Sequence, residues 1–314
     1  VFGEGRLVTT FSRRSALGLG IAALAHPLVG RAEDRTPVDL VDEPSRSALA
    51  RYEVTHFGPP AERMLRGPFN FPADVGDGDL YGIDVSHHTE AVPWDALKAS
   101  KVGFVYMKAT QGSVARDPKF AEFWAAAGAA GVPRGAYHFM SAGIPGDVQA
   151  RWFLDQVRAV GGLKSGDLQP VIDLEWDILG PDFRTTRVGE ADGQPRWKDY
   201  WDDDPDAIPG VIRDCLAALV EGLRPVKIRP IIYTNRSWWE AHVPAAAEFQ
   251  DTAIWIADYR QLSSESQAPR ALPGYVTDLW QFADTGVISA DGRTYQPLDC
   301  SKVLRGGMAG LTIP

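Results

Sequence analysis

From Asp79 onward the chain alternates short apolar, strand-like runs with helix-like segments, and this alternation constrains it to an α/β fold. The strand candidates are Leu80–Val85, Gly103–Met107, Arg134–Phe139, Pro170–Leu174, Arg229–Thr234, Ala253–Ala257, Val276–Phe282 and Tyr295–Leu298. Helical periodicity fills Trp94–Ser100, Pro118–Ala130, Gly146–Val160, Pro209–Leu223 and Ser237–Phe249. Five βα units are thus followed by three strands, joined by connections such as Asp284-Thr285-Gly286 and the hairpin-like Asp291-Gly292. Strands in that order can close as an irregular TIM-like (β/α)5(β)3 barrel, which is the expected fold.

In barrels of this kind the working groups sit at the C-terminal ends of the strands. Here Asp84 ends the first candidate, Lys108 the second, Tyr137-His138-Phe139 the third and Tyr233-Thr234-Asn235 the fifth. Asp258-Tyr259 ends the sixth, Trp280-Gln281 the seventh and Asp299 the eighth. The fourth, within Gln169-Pro170-Val171-Ile172-Asp173-Leu174-Glu175-Trp176, ends in two carboxylates. Residues two apart on a strand point the same way, so Asp173 and Glu175 share one face and Ile172, Leu174 and Trp176 the other. Like charges held this close resist double ionisation, so one of the pair should keep its proton to a higher pH. That property suits a general acid near neutrality. The plainer alternative is a strand end with two solvated acids.

Outside the barrel region three segments stand apart. Ser12-Arg13-Arg14-Ser15 precedes an apolar run from Ala16 to Leu28, and Gly30-Arg31-Ala32 follows with small residues where a signal peptidase reads. Residues 1–32 are therefore expected to be a twin-arginine-type export signal cleaved after Ala32, directing the protein to the periplasm or the outside. Residues 33–78, rich in Pro, Gly and charge, read as a linker or an N-terminal extension lying on the main domain. Residues 79–314 form the barrel domain, with an acidic insertion at about 177–208 expected as a long loop walling one side of the cleft. A calcium site in Asp202–Asp206 fits poorly, because Pro205 interrupts it and the loop pattern is absent.

Charge and cysteine content narrow the partners. A net charge of -9 argues against nucleic acid, whose phosphates want a basic surface. Cys215 and Cys300 cannot build a disulfide framework or a zinc site alone, and whether they bridge each other stays open. Cys215 falls on the apolar face of its helical segment, as a buried thiol would. His87, His88 and His138 near strand ends could bind a metal, but they lack the dense spacing such sites show. His138 reads better as a hydrogen-bonded core residue, and Lys108 as a partner for a nearby acid rather than a Schiff-base amine. No glycine run makes a phosphate loop.

Several stretches together resemble the glycoside hydrolase family 25 lysozymes, the muramidases. They are Tyr81-Gly82-Ile83-Asp84-Val85-Ser86-His87, Phe104-Val105-Tyr106-Met107-Lys108-Ala109-Thr110-Gln111-Gly112, Arg134-Gly135-Ala136-Tyr137-His138-Phe139 and Pro170-Val171-Ile172-Asp173-Leu174-Glu175. Ile232-Tyr233-Thr234-Asn235, Trp255-Ile256-Ala257-Asp258-Tyr259, Leu279-Trp280-Gln281-Phe282 and Leu298-Asp299 follow in the same order. The resemblance implies hydrolysis of the β-1,4 bond between N-acetylmuramic acid and N-acetylglucosamine in peptidoglycan. It implies Glu175 as general acid, with Asp173, Asp84 and Asp299 as the other catalytic carboxylates. Tyr137, Tyr233, Trp255 and Gln281 fall on positions that line the sugar cleft. Asp173 would act either as a nucleophile or by orienting the substrate's own acetamido group, and an inverting route stays open. Two departures stand out: Ser301 replaces the Asn common two residues after the last aspartate, and the insertion is long. No cofactor or metal is implied; the expected partner is the peptidoglycan glycan strand, met by a monomer without a membrane span. The alternatives are a glycan-binding barrel without activity and a metal-dependent hydrolase.

Overall fold

The computed structural model describes residues 68–141, 144–175, 184–191, 194–199, 207–243, 249–259 and 268–314. The candidate signal, Trp176 and the Asp202–Asp204 run lie outside these residues. In chain order the strands are β1 (Phe69–Phe71), β2 (Tyr81–Val85), β3 (Val102–Gln111), β4 (Ala115–Arg116), β5 (Arg134–Phe139), β6 (Val171–Leu174), β7 (Arg184–Ala191), β8 (Gln194–Asp199), β9 (Ile231–Asn235), β10 (Ala253–Ala257), β11 (Thr277–Ala290) and β12 (Arg293–Val303). The helices are α1 (Phe120–Ala129), α2 (Gly146–Ala159), α3 (Ala207–Gly222), α4 (Arg236–His242) and α5 (Gly307–Leu311).

Pairing runs β11-β10-β9-β6-β5-β3-β2-β12, and β12 pairs back to β11, so the eight-stranded sheet closes into the expected α/β barrel. The ring strands β2, β3, β5, β6, β9, β10 and β11 are mutually parallel, and β12 closes the ring antiparallel to both neighbours. Closure leaves each barrel strand with a partner on both sides. The strands read as almost continuous apolar runs because both faces are covered. Ile83, Val105, Met107, Ile172, Ile232, Ile254 and Ile256 point outward into a layer shared with the helices. Phe104, Tyr106, Leu168, Val171, Ile231, Trp255 and Leu279 point inward. Along α2, Ala150, Phe153, Leu154 and Val157 are buried, and along α3, Ile208, Ile212, Cys215 and Leu219. That is the 3.6-residue stripe of helices lying on a sheet.

Inside the barrel a glycine makes room for the floor. A Cβ on Gly135 would sit 2.3 Å from the Tyr106 ring, so only glycine lets that ring cross the axis, where it stands 5.0 Å from Trp255. The Tyr106 hydroxyl donates to the Gln169 carbonyl at 3.2 Å, which satisfies the one polar atom that this packing buries.

Four expectations change. The segment Trp94–Ser100 carries only a 3-10 turn at Trp94–Ala96; Lys101, at φ 58°, turns the chain directly into β3. The second strand runs past Lys108 to Gln111, with an irregularity between Lys108 and Thr110. Helix α4 ends at His242, short of the expected Phe249, and begins where the Asn235 side chain accepts from the Trp238 amide at 2.9 Å. Most consequentially, Asp284-Thr285-Gly286 is not a connection. It lies within β11, and β11 and β12 continue well beyond the ring as one long hairpin. Gly286 is there for contact rather than for turning, since a Cβ would meet the Cys300 Sγ at 2.2 Å. The turn comes later at Asp291-Gly292, where φ values of 51° and 69° give the primed geometry that matches strand twist.

Two further strands extend the expectation. Of the 33–78 segment, β1 pairs parallel to Gly286–Ile288, and Phe69 packs on Phe282 at 4.9 Å and Tyr81 at 5.3 Å. Within the segment expected as a long loop, β7 and β8 form an antiparallel hairpin, with Ala191 opposite Gln194. Cys215 and Cys300 are both buried free thiols.

Candidate active site

Each of the eight residues singled out in the sequence stands on a barrel strand or just past its end. Asp84 is on β2, Tyr137 on β5, Asp173 on β6 with Glu175 just beyond, Tyr233 on β9, Trp255 on β10, Gln281 on β11 and Asp299 on β12. All eight line one cavity of about 660 Å³ at the C-terminal mouth of the barrel. Period-two alternation explains the convergence: Val171, Asp173 and Glu175 face the cavity, whereas Ile172 and Leu174 join the outer apolar layer. Closure brings together what is remote in sequence. Asp299 is paired directly opposite Asp84, Asp173 lies beside Tyr233, and Tyr233 beside Trp255.

The acids differ in their surroundings. Asp173 is 5% exposed and Asp84 9%, while Glu175 is half-buried. Burial raises the Asp84 carboxyl to about 7, against a hydrogen bond from Gln281 Nε2 at 2.9 Å that pulls it down. Burial holds Asp173 well above the ordinary carboxylate range; Glu175 adds to this, Lys108 opposes it and Asp84 adds a little more. One Asp173 oxygen, Oδ1, is buried with no hydrogen-bond partner. Lys108 lies under the same cavity, donating to Gln111 Oε1 at 2.8 Å and standing 4.5 Å above the Phe139 ring. Burial lowers the Lys108 ammonium, and Asp173 is the largest of the charges that pull it back up. Proton sharing in this crowded interior is what like charges out of water require.

A neutral network holds the walls. Gln281 Oε1 accepts from the Tyr233 hydroxyl at 2.6 Å and from the Tyr259 hydroxyl at 2.7 Å, which fixes the amide so that its nitrogen meets Asp84. Trp255, at 2% exposure, forms cavity floor, and its indole donates to Ser301 Oγ at 3.1 Å. Ser301, where the resemblance has Asn, thus anchors a residue that lines the cavity. The end of β6 is pinned by its neighbour: Thr234 Oγ1 donates to the Leu174 carbonyl at 2.6 Å, and Asn235 Nδ2 to the Glu175 carbonyl at 3.2 Å. These bonds fix the backbone that carries Glu175.

Not every group at the strand ends joins the site. The buried Asp258 carboxylate is taken by Arg270, with Nη2 at 2.9 Å and the backbone amide at 2.7 Å. His138 faces the helices instead, fully buried between Thr110 Oγ1 at 2.8 Å and Gln149 Oε1 at 3.2 Å, and burial lowers it to about 4. His87 Nδ1 bonds Asp117 Oδ2 at 2.8 Å. Among the described residues no cluster of His, Cys, Asp and Glu is arranged to hold a metal ion.

Sequence reasoning missed the outer wall. The loop after β2, residues 86–91, and the returning arm of the long hairpin, residues 293–298, extend the cavity beyond the ring. The missing signal was hairpin length: reading Asp284-Thr285-Gly286 as a connection stopped the seventh strand at Phe282 and started the eighth at Tyr295, which left Arg293 and Thr294 outside any element.

A model of the Glycosyl hydrolases family 25 matches residues 83–291. Lysozyme M1 of Streptomyces globisporus is 30% identical over 229 residues, covering 68% of this chain and 65% of that protein. The uncharacterized protein YegX of Escherichia coli K12 is 26% identical over 216 residues, covering 67% and 65%. The chain therefore spans 65% of the length of these two curated relatives. A bacterial lysozyme structure from Streptomyces coelicolor shares the fold, with a TM-score of 0.56 at 24% identity over 74% of this chain and 96% of that one. With the family's match running from Ile83, the residue before Asp84 in β2, into the turn of the long hairpin, the chain belongs to the glycosyl hydrolases of family 25.

Proposed function

We propose that the protein is an exported muramidase that hydrolyses the β-1,4 bond between N-acetylmuramic acid and N-acetylglucosamine in peptidoglycan. The observation that carries this reading is the convergence of Asp84, Asp173, Glu175 and Asp299 on one cavity in a chain of this family. Glycoside cleavage needs a proton for the leaving oxygen and negative charge near the oxocarbenium-like centre. Glu175 is the general acid: it is the more open member of the pair, so an incoming glycosidic oxygen can reach it. Asp84 and Asp299, facing each other across β2 and β12, supply the field that favours positive charge on the ring.

Asp173 orients the substrate's acetamido group as the internal nucleophile. Its buried, unpartnered Oδ1 supports this role, because an acetamido N–H would give that oxygen the bond it lacks and favour its ionised form. Tyr137, Tyr233, Trp255 and Gln281 form the neutral walls on which sugar rings lie. Export by the twin-arginine route follows from residues 1–32, and among the described residues no helix is long and apolar enough to cross a membrane.

The test uses the purified protein and its Glu175→Gln variant on insoluble peptidoglycan. Released ends are reduced with borohydride and identified by mass spectrometry. Reduced muramic acid ends from the parent, falling about 10³-fold in the variant, are expected for loss of a general acid. Equal release by both would remove Glu175 from that role, and glucosamine ends would mean a different bond.

A further inference from the structure

We infer that the outer arm of the cavity is a subsite for a carboxylate on the substrate's peptide stems, with Arg293 as the residue that takes it. This rests on the muramidase reading and goes beyond it to a part of the substrate that is not a sugar.

The charge around the cavity is strongly unbalanced toward acids. Asp84, Asp173, Glu175, Asp284, Asp299 and Glu90 all line it, against Lys108 and Arg293. Lys108 is buried beneath the acids, 7% exposed and bonded to Gln111, so it is spent on the interior. Arg293 is different. It is exposed and makes no ion pair or side-chain hydrogen bond among the described residues.

Its placement is fixed by the backbone. Arg293 is the first residue after the Asp291-Gly292 turn and is paired opposite Ala290, so it emerges from the tip of a regular antiparallel hairpin. The arm it leads, Thr294 to Leu298, runs down the cavity wall to Asp299. The loop of residues 86–91 lines the cavity on the same side, because β2 and β12 are neighbours. The cavity lining therefore extends outward from the strand-end acids along one side of the mouth, where it takes in Glu90 and Arg293.

A substrate that is neutral along its sugar chain but carries carboxylates on its appendages meets two opposite fields there. Its appendages are repelled by the six acids and by the protein's net charge of -9. Its neutral rings are not. At the cavity wall, Arg293 is the exposed point at which a carboxylate gains, and a guanidinium can hold it bidentately. Binding in this register lays the sugar over the carboxylates and the stem on the hairpin. Arg293 thus selects stem-bearing glycan and sets which way the chain lies.

The experiment measures sedimentation binding to insoluble glycan bearing its peptide stems and to the same glycan stripped by an amidase. It is done in the Glu175→Gln background, so that cleavage does not consume the ligand. Arg293→Gln should lower the ratio of stem-bearing to stripped affinity by about threefold to tenfold, in keeping with one partly exposed charge-assisted pair. Arg293→Glu should lower it further, and Arg293→Lys should keep most of it. An unchanged ratio in both Arg293→Gln and Arg293→Glu, with melting temperatures equal to the parent's, overturns the inference. Should the parent release no muramic acid ends while the ratio still depends on Arg293, the muramidase reading falls and the subsite stands.

Discussion

The lower and upper halves of the barrel interior are built from the same strands, two residues apart, and do opposite work. On β2 the step is from Gly82 to Asp84, on β3 from Tyr106 to Lys108, on β6 from Val171 to Asp173, on β9 from Ile231 to Tyr233, and on β11 from Leu279 to Gln281. Below, interlocked rings at Tyr106, Trp255 and Phe104 fill the axis. Above, carboxylates, phenols and amides surround a cavity. The alternation of a strand keeps both sets inside, so the polar layer is a product of sequence choice and not of backbone change. A packed floor closes the cavity to water from below, and that burial is what raises the Asp84 and Asp173 carboxyls above it.

The sharpest way to separate the halves is to remove one group from each and read both stability and rate. Glu175→Gln should cost about 10³-fold in rate, or about 4 kcal/mol, while changing unfolding free energy by less than about 1 kcal/mol. Tyr106→Ala should do the reverse in kind, destabilising by about 3 kcal/mol through a cavity at the floor and a lost bond to Gln169. Urea unfolding of both variants, beside the reducing-end assay, tests the division. A Glu175→Gln variant as unstable as Tyr106→Ala would mean that the upper layer is structural too.

Much of this division was legible in the sequence, and the reasons are specific. Each barrel strand announced itself because burial on both faces forces a run such as Ile231-Ile232-Tyr233 or Ala253-Ile254-Trp255-Ile256. The inward polar residues followed from counting by two from the strand end. What stayed hidden was set by pairing rather than by local pattern. Gly286 looked like a turn because glycine usually marks one, whereas its reason is the Cys300 sulfur of the partner strand. Phe69 and Phe71 looked like linker because three residues carry no period, and their strand exists only against β11. Asp258 looked like a member of the polar rim, but its partner Arg270 lies twelve residues on.

An intermediate effect probes the burial of acids over that floor. Asp84 is raised to about 7 by burial, so the folded state holds a proton that the unfolded chain releases near 4. This contribution is present in full below the unfolded value and is lost as pH rises through about 7. Asp84→Asn removes the loss. The melting temperature of the variant minus that of the parent should therefore become more positive between about pH 4 and about pH 7. A difference that stays flat across this window would show that Asp84 ionises freely in the fold.

The smallest effect tests whether the upper layer acts as one unit. Gln281 Oε1 accepts two phenolic hydroxyls, from Tyr233 and Tyr259, and these leave its nitrogen to meet Asp84. Tyr233→Phe removes one donor, but the other still fixes the amide, so the loss should be about 1 kcal/mol or less in stability and a few-fold in rate. Tyr259→Phe alone should behave alike. With both hydroxyls gone only the bond to Asp84 holds the amide, and where that carboxyl carries its proton the amide can turn its oxygen toward it. That flip opposes ionisation of Asp84 and removes its one directed donor. The double variant should then lose more activity than the product of the single losses, by a coupling of about 1 kcal/mol in a double-mutant cycle. Additive losses would mean that the two phenols act on sugar binding separately, and that Gln281 keeps its orientation from its packing alone.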